Sequence, residues 1–286
     1  MPQIVPRPDA DGAWLAPAKL NLMLRVLGRR ADGYHSLQTV FQFLDRADRL
    51  YFTPRSDGRV LRGRGCAEIA PEQDLVVRAA MALRAATGSG AGVEIAVEKV
   101  LPMGGGLGGG SSDAATALHA LNQLWGLGLE VERLAEIGLA LGADVPVFVR
   151  GQACWAEGVG EEMTPVALPE PWYVVLIPPE SVSTAAVFND PELTRDSLPI
   201  TMVDFIAGER PNDCLRVVAK RYPTVAAAFD WLAAMEVKPQ LTGTGGCVFA
   251  TLESAETAQA VAGRAPRQYR AFAARGHNRS PLFAWQ

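Results

Sequence analysis

From residue 102 to residue 115 the chain reads PMGGGLGGGSSDAA, six glycines around Leu107 followed by two serines and the start of an alanine-rich run. Few folds accommodate such a stretch. Glycine takes positive φ without strain and lets backbone N–H groups come close to another molecule. The segment before it, GVEIAVEKVLP, sets Val93, Ile95 and Val97 on one face of a strand ending at Pro102. The segment after it reads as a helix from about Ser112 to Trp125. Strand, glycine loop and helix in that order put a helix N-terminus at the mouth of the loop. Its unpaired N–H donors and partial positive charge make an anion site.

A local site matters because the chain is acidic overall. Its 27 Lys and Arg stand against 31 Asp and Glu, a net charge of −4, so it has no global field for DNA or RNA. With 49% hydrophobic and 20% charged residues it can bury a full core, which excludes bulk disorder. Its 286 residues amount to about two domains or one large α/β unit. No apolar run approaches the roughly 18 residues that span a bilayer. The start, MPQIVPRPDADGAW, lacks an apolar signal core, so neither a signal nor a transit peptide is expected. Cys66, Cys154, Cys214 and Cys247 are far apart with no CxxC pair and read as reduced core thiols of a cytoplasmic protein. The three histidines are too scattered for a local metal motif, and His119 reads as a helix-face residue without a role.

The glycine loop has three readings. It can be a plain turn with a serine helix cap. It can be a dinucleotide loop, since Gly104, Gly106 and Gly109 fit GxGxxG and Glu130 follows about 20 residues on. Against this, Glu94, Glu98 and Lys99 interrupt the preceding strand, whereas a central parallel strand is apolar on both faces. It can be a nucleoside triphosphate loop, though not a Walker A loop, which needs Gly-Lys-Ser/Thr, nor that of a protein kinase, since HRD and DFG are missing. On this third reading Gly109 is expected to take positive φ and admit the triphosphate.

Elsewhere, Lys19 to Val26 alternates: Leu20, Leu22, Leu24 and Val26 share one strand face, and Lys19, Asn21, Met23 and Arg25 the other. Asp32-Gly33 marks a tight turn before a second strand over 37–44, giving a hairpin with a polar outer face. Helices are expected over 72–87, with Glu72 and Asp74 in the first turn and Gly88 as the stop, and over 130–141, ended by Gly142. Extended chain follows at 152–157. The Pro- and acid-rich GEEMTPVALPEP suggests a domain boundary near residue 165, dividing 1–165 from 166–286. Beyond it come a buried strand (WYVVLIPP), helices over 184–189, 213–221 and 224–235, a glycine turn and strand (LTGTGGCVFATL), a helix (SAETAQAVAGR) and a last strand (QYRAFAAR). Strands and helices mixed in both halves mean α+β or α/β.

PMGGGLGGGSSDAA resembles the phosphate loop of the galactokinase, homoserine kinase, mevalonate kinase and phosphomevalonate kinase superfamily. PAKLNLML, GRRADGYHSLQTVFQ and LGADVPVF, with VFNDPEL and LTGTGGCVFA further on, resemble the branch whose acceptor is a cytidine diphosphate-linked methylerythritol. The resemblance implies an α+β kinase of two domains, a ribosomal-protein-S5-like ATP-binding domain and a ferredoxin-like C-terminal domain, with the active site between them. It implies ATP and Mg²⁺ as cofactors and transfer of phosphate to the acceptor's 2-hydroxyl, with neither nucleic acid nor membrane as partner. The metal's ligands are not legible, Ser111 and Ser112 being the candidates.

Phosphoryl transfer needs in-line placement, neutralised phosphate charge and a destination for the hydroxyl proton. By the resemblance, Pro102, Met103, Gly104, Gly105, Gly106, Leu107, Gly108, Gly109, Gly110, Ser111 and Ser112 would hold ATP, with Lys99 a candidate adenine contact. Asp144 would accept the proton from a stiff, non-helical corner between Gly142 and Pro146, and Lys19 would steady it and the acceptor oxygen as a point charge. Asn21 would hydrogen-bond the acceptor. Tyr34, His35 and Phe188 would hold the cytosine, and Thr242, Gly243, Thr244, Gly245 and Gly246 would bring backbone donors to its diphosphate. By residue type alone each has an ordinary reading: Asp144 a cap, Lys19 a solvated strand charge, Tyr34 and His35 turn residues, Phe188 core, the second glycine loop a plain turn. The chain departs from the family pattern mildly, at Asp113 and Ala143. The alternatives are another small-alcohol kinase such as homoserine kinase, which needs no base-reading hairpin, or a non-catalytic nucleotide-binding or redox protein.

Overall fold

The computed structural model describes residues 5–65 and 69–283, so Cys66 lies outside the described residues. Strands β1 (Trp14–Arg29) and β2 (His35–Arg55) form the expected hairpin. Its turn closes with the Arg30 N–H donating to the Tyr34 carbonyl at 2.8 Å, and Gly33 takes a φ of +88°. Both strands outrun their alternating segments. Register shifts at Pro17/Lys19, Asn21/Met23 and Val26/Gly28 break the period of two, so alternation is legible only between them. The polar face of β1 is not an outer face. Lys19 and Asn21 are 2% and 3% exposed, because the glycine loop lies over them and the Lys19 N–H donates to the Leu107 carbonyl at 3.0 Å.

After the short β3 (Val60–Arg62) comes α1 (Leu75–Thr87), which starts later than 72 because Asp74 is its N-cap, accepting from the Val76 N–H, and Pro71–Gln73 makes a separate 3₁₀ turn. Gly88, at φ +70°, ends it as expected. Strand β4 (Gly92–Glu98) buries Val93, Ile95 and Val97 and runs antiparallel to β2, the opposite of a central dinucleotide-fold strand.

Helix α2 (Gly109–Leu124) begins three residues before Ser112: Gly108, at φ +73°, is its N-cap and both serines lie inside the first turn. Its alanines let it lie buried against β1, α1 and residues 145–150, so His119 is a core residue and not a helix-face one. Helix α3 (Val131–Leu139) closes as the Leu141 and Gly142 amides both donate to the Gly138 carbonyl. The corner expected at Asp144 is instead the N-cap of a helix, α4 (Val145–Arg150), with Asp144 at φ −83° and ψ −10°. Pro146 sits in its first turn, where the missing N–H costs nothing.

Strands β5 (Cys154–Glu157), β6 (Glu162–Pro165) and β7 (Trp172–Ile177) precede α5 (Thr184–Phe188). The next helix, α6 (Met202–Ile206), has no counterpart in the sequence pattern; a capping box between Thr201 and Asp204 starts it, and five residues leave no periodic pattern. Then follow α7 (Leu215–Arg221), α8 (Pro223–Ala233), β8 (Pro239–Leu241), β9 (Val248–Leu252), α9 (Ala255–Gly263) and β10 (Arg270–His277). Strand β10 pairs along β7 and then reaches β2 through Gly276 and His277. One sheet therefore runs β3-β4-β2-β10-β7-β9-β8, with β1 and β5 also paired to β2.

The fold is a mixed one of helices and strands. Helices α1 to α4 cover the β1–β2–β4 region over one core, and α7 and α8 pack on β7 and β9 over a second. A third cluster, including Leu20, Met23, Leu107 and Phe249, lies between them beneath the glycine loop.

Candidate active site

Two glycine loops meet above that third cluster. The Cys247 N–H donates to the Gly105 carbonyl at 2.9 Å, and the Thr242 hydroxyl donates to the Gly106 carbonyl at 3.2 Å while accepting from the Asn21 N–H at 3.0 Å. The contact is so close that a Cβ on Gly106 would lie 2.3 Å from the Thr242 carbonyl oxygen. Part of the glycine content therefore serves loop against loop. Positive φ falls on Gly104, Gly106 and Gly108. Gly109 corrects the expectation made for it: it is the first helical residue of α2, buried, and a Cβ there would meet Leu101 Cβ at 3.2 Å. Gly110 is exposed, and a Cβ there would meet Leu75 Cδ1 at 3.3 Å. The Ser112 N–H is tied to the Gly108 carbonyl at 2.8 Å, which leaves the amides of Gly109, Gly110 and Ser111 as the orphan donors of the helix N-terminus.

Lys19 and Asp144 meet beside this loop. The Lys19 ammonium donates to Asn21 Oδ1 at 2.5 Å and the Gly106 carbonyl at 3.0 Å, and lies 3.2 Å from Asp144 Oδ2. Its Nζ also lies 5.3 Å from the centre of the Phe41 ring. Asn21 Nδ2 donates in turn to the Thr39 hydroxyl at 2.9 Å, which fixes the amide. Asp144 stands at a helix N-terminus yet makes no capping hydrogen bond with its side chain. Its carboxylate points to the lysine instead.

Beneath the loop lies a cluster that sequence reasoning missed. Lys99 Nζ donates to Asp48 Oδ2 at 2.5 Å and Asp113 Oδ2 at 2.7 Å, and Asp48 Oδ1 accepts the amides of Val100 and Leu101. Burial, opposed by the Lys99 charge, pushes the Asp113 carboxyl up to about 7. The cluster anchors the strand end before the loop to the first turns of α2. Lys99 itself remains on the cleft wall.

These parts share one cleft of about 930 Å³. Lys19, Asn21, Asp144, Pro102, Met103, Gly104, Gly105, Gly106, Gly108, Gly109, Gly110 and Ser111 line it, as do Tyr34, His35, Phe188, Gly243 and Thr244. Leu107, Ser112, Thr242, Gly245 and Gly246 are buried and off that wall. Tyr34 is 64% exposed at the hairpin tip. His35 is buried and stacks on Phe188, ring centres 5.0 Å apart at 21°. Burial first, then the charges of Arg195 and Arg29, hold the His35 imidazole below its ordinary pKa. Two more residues support the site without any local sequence signal. Asn212 donates to the Leu241 and Gly243 carbonyls, both at 2.9 Å, and Arg195 Nε donates to His35 Nε2 at 3.2 Å.

Known proteins resemble this chain along nearly its whole length. A model of the GHMP kinases N terminal domain matches residues 74–152. The 4-diphosphocytidyl-2-C-methyl-D-erythritol kinase of Halorhodospira halophila is 55% identical over 272 residues, which covers 94% of this chain and 94% of that protein. Its counterpart in Chromohalobacter salexigens is 54% identical over 273 residues, covering 93% and 91%. A crystal structure of 4-(cytidine 5'-diphospho)-2C-methyl-D-erythritol kinase superposes with a TM-score of 0.81 at 34% identity, over 92% of this chain and 98% of that one. Identity above one half along nearly the whole length places this chain in the 4-diphosphocytidyl-2-C-methyl-D-erythritol kinase family of the GHMP kinases.

Proposed function

We propose that the chain transfers the γ-phosphoryl group of ATP to the 2-hydroxyl of 4-diphosphocytidyl-2-C-methyl-D-erythritol, a step in the non-mevalonate supply of isoprenoid precursors. The observation that carries this reading is the continuity of the cleft. One cavity joins a phosphate-type loop and the Lys19–Asp144 pair to the rings of Tyr34, His35 and Phe188. A kinase acting on a small amino alcohol has no use for the second set.

Asp144 accepts the proton of the 2-hydroxyl as the oxygen attacks. Lys19 has three N–H donors and three acceptors around it, Asn21, Gly106 and Asp144, so it orients the carboxylate and offers its charge to the acceptor oxygen from a fixed place. The helix N-terminus at Gly109, Gly110 and Ser111 takes the nucleotide's phosphates. Gly243 and Thr244 face the acceptor's diphosphate, while Thr242, Gly245 and Gly246 shape that loop from behind. Met103 and Lys99 line the nucleotide side.

Among the described residues no cluster of three or more His, Cys, Asp or Glu side chains could hold a metal ion. A Mg²⁺ carried mainly by phosphate oxygens needs few protein ligands, and Ser111 is one of the oxygen-bearing side chains on the cleft wall that would reach it. Bound there, the ion would neutralise charge on the transferred group.

We assign residues 1–165 to the ribosomal-protein-S5-like domain and 166–286 to the ferredoxin-like one. The core under α1 to α4, drawn mainly from residues before 165, and that under α7 and α8, drawn mainly from residues after it, support this, with Leu282 and Phe283 closing the first and Leu24 entering the second. The cytoplasm is the compartment we assign, in keeping with Cys154, Cys214 and Cys247, free thiols that burial pushes up to about 12. Among the described residues no helix is long and apolar enough to cross a membrane.

A coupled assay of ADP release tests the activity. ADP should form only when the diphosphocytidyl acceptor is present. Release that ignores the acceptor, or none from the folded chain, would overturn the reading.

A further inference from the structure

The guanidinium of Arg195 is held on three sides by backbone. Nη2 donates to the Phe188 carbonyl at 2.8 Å and the Asp190 carbonyl at 2.7 Å, and Nη1 donates to the Leu193 carbonyl at 3.0 Å. Of its two remaining donors, Nε is aimed at His35 Nε2 across 3.2 Å. A guanidinium has donors only and keeps its charge in proteins, so His35 Nε2 has to accept. An imidazole that accepts at Nε2 is neutral and carries its proton on Nδ1. The charged groups bearing on the ring, Arg195 and Arg29, are both cations, and with burial they act against the imidazolium. Stacking on Phe188 holds the plane of the ring, and Arg195 ties the Phe188 carbonyl to the same fork.

His35 lines the cleft, and its Nδ1 has no hydrogen-bond partner among the described residues. It therefore offers a donor. Cytosine and uracil have similar faces but differ at N3, which is an acceptor in cytosine and an N–H donor in uracil. An Nδ1–H ring matches cytosine and opposes uracil; the other tautomer would do the reverse. We propose that Arg195 is a positioning residue that fixes the Nδ1–H tautomer of His35 and so sets the preference for cytosine over uracil in the acceptor, an inference that rests on the cytosine pocket assigned above.

The chain has three histidines, so ¹⁵N spectra of the imidazole rings can be assigned with a His35→Gln control. In the wild type at pH 7.5, His35 should show the Nδ1–H pattern, and an Nε2–H ring overturns the inference. Arg195→Met should move the ring toward the Nε2–H form that free histidine prefers and raise its pKa. It should also lower the cytidine-to-uridine ratio of kcat/KM at least about tenfold. A ratio that survives a changed tautomer, or a tautomer that survives the substitution, overturns it as well. Should Arg195→Met fail to fold, Arg195→Lys replaces it: keeping a cationic donor, it should retain the Nδ1–H ring and most of the ratio, and losing the ratio with the tautomer intact would overturn the inference. A wild type that uses both acceptors equally sinks the cytosine pocket and the inference together. A wild type that discriminates but keeps its ratio in Arg195→Met sinks the inference alone.

Discussion

Asp144 Oδ2 lies 3.2 Å from the Lys19 ammonium, and the two side chains differ sharply in burial, 37% exposed for the aspartate and 3% for the lysine. A buried cation bonded to Asn21 and to the Gly106 carbonyl cannot wander, so it fixes the direction of a carboxylate that still faces the cleft. The pair joins the middle of β1 to the first turn of α4.

Asp144→Asn keeps the size of the side chain and removes its capacity to take a proton. We expect kcat to fall by about 10²–10⁴ while the KM for the acceptor stays within a few-fold, the pattern of a lost acid–base group. Steady-state kinetics decide it. A variant with half the wild-type kcat would leave Asp144 a structural residue.

Neighbouring glycines should separate fold from ligand. Gly109→Val puts its side chain against Leu101, Lys99 and Asp48, so it should cost about 1–3 kcal/mol of stability. Gly110→Val projects from an exposed position of the helix N-terminus, and should weaken binding of an ATP analogue with little change in Tm. Thermal melts with equilibrium binding distinguish them. The reverse pattern would mean that the loop does not cradle phosphate.

Tyr34 is largely exposed, so its removal should leave the fold alone. Tyr34→Ala should raise KM for the acceptor about 5- to 150-fold, the equivalent of roughly 1–3 kcal/mol of base stacking, and should weaken cytidine and uridine acceptors alike. Phe188→Ala should do the same and also lower Tm, because Phe188 packs against His35 and the second core. Unchanged KM in Tyr34→Ala would remove that ring from the pocket.

His119 is expected to make the protein acid-sensitive. Its ring donates through Nε2 to the Val149 carbonyl at 2.9 Å, and burial depresses its pKa from 6.5 to about 4. A histidine whose pKa is lower in the folded chain adds stability that is complete above the unfolded value and is lost as pH falls through the folded one. Between pH 7 and 4 the contribution should shrink by about 3 kcal/mol. Urea unfolding at both pH values, for wild type and His119→Gln, measures it as a difference. Equal pH dependence in the two proteins would contradict the assignment.

Much of the framework was legible because its signals are local. Gly88 ends α1, Asp32-Gly33 turns the hairpin, and Val93, Ile95 and Val97 face the core, each through the conformational preferences of neighbouring residues. The glycine loop is legible for the same reason, being one contiguous segment. The start of α2 is not legible, since a glycine pair reads as loop, although here Gly109 and Gly110 open the helix that Gly108 caps. Helix α4 was hidden behind Pro146, which reads as a breaker unless the residue falls in a first turn.

The sequence by itself determined most of the order of elements, the glycine loop between a strand and a helix and, through motif resemblance, the family. Only the tertiary structure decided that Lys19 is buried where it meets Asp144, the partner the family resemblance implies, that Lys99 is shared by Asp48 and Asp113, and that Arg195 holds His35. These pairings leave no trace in either local segment, because each depends on how two distant elements pack and on which polar groups that packing removes from water. A desolvated charge or donor has to find its partner wherever the fold brings one within reach.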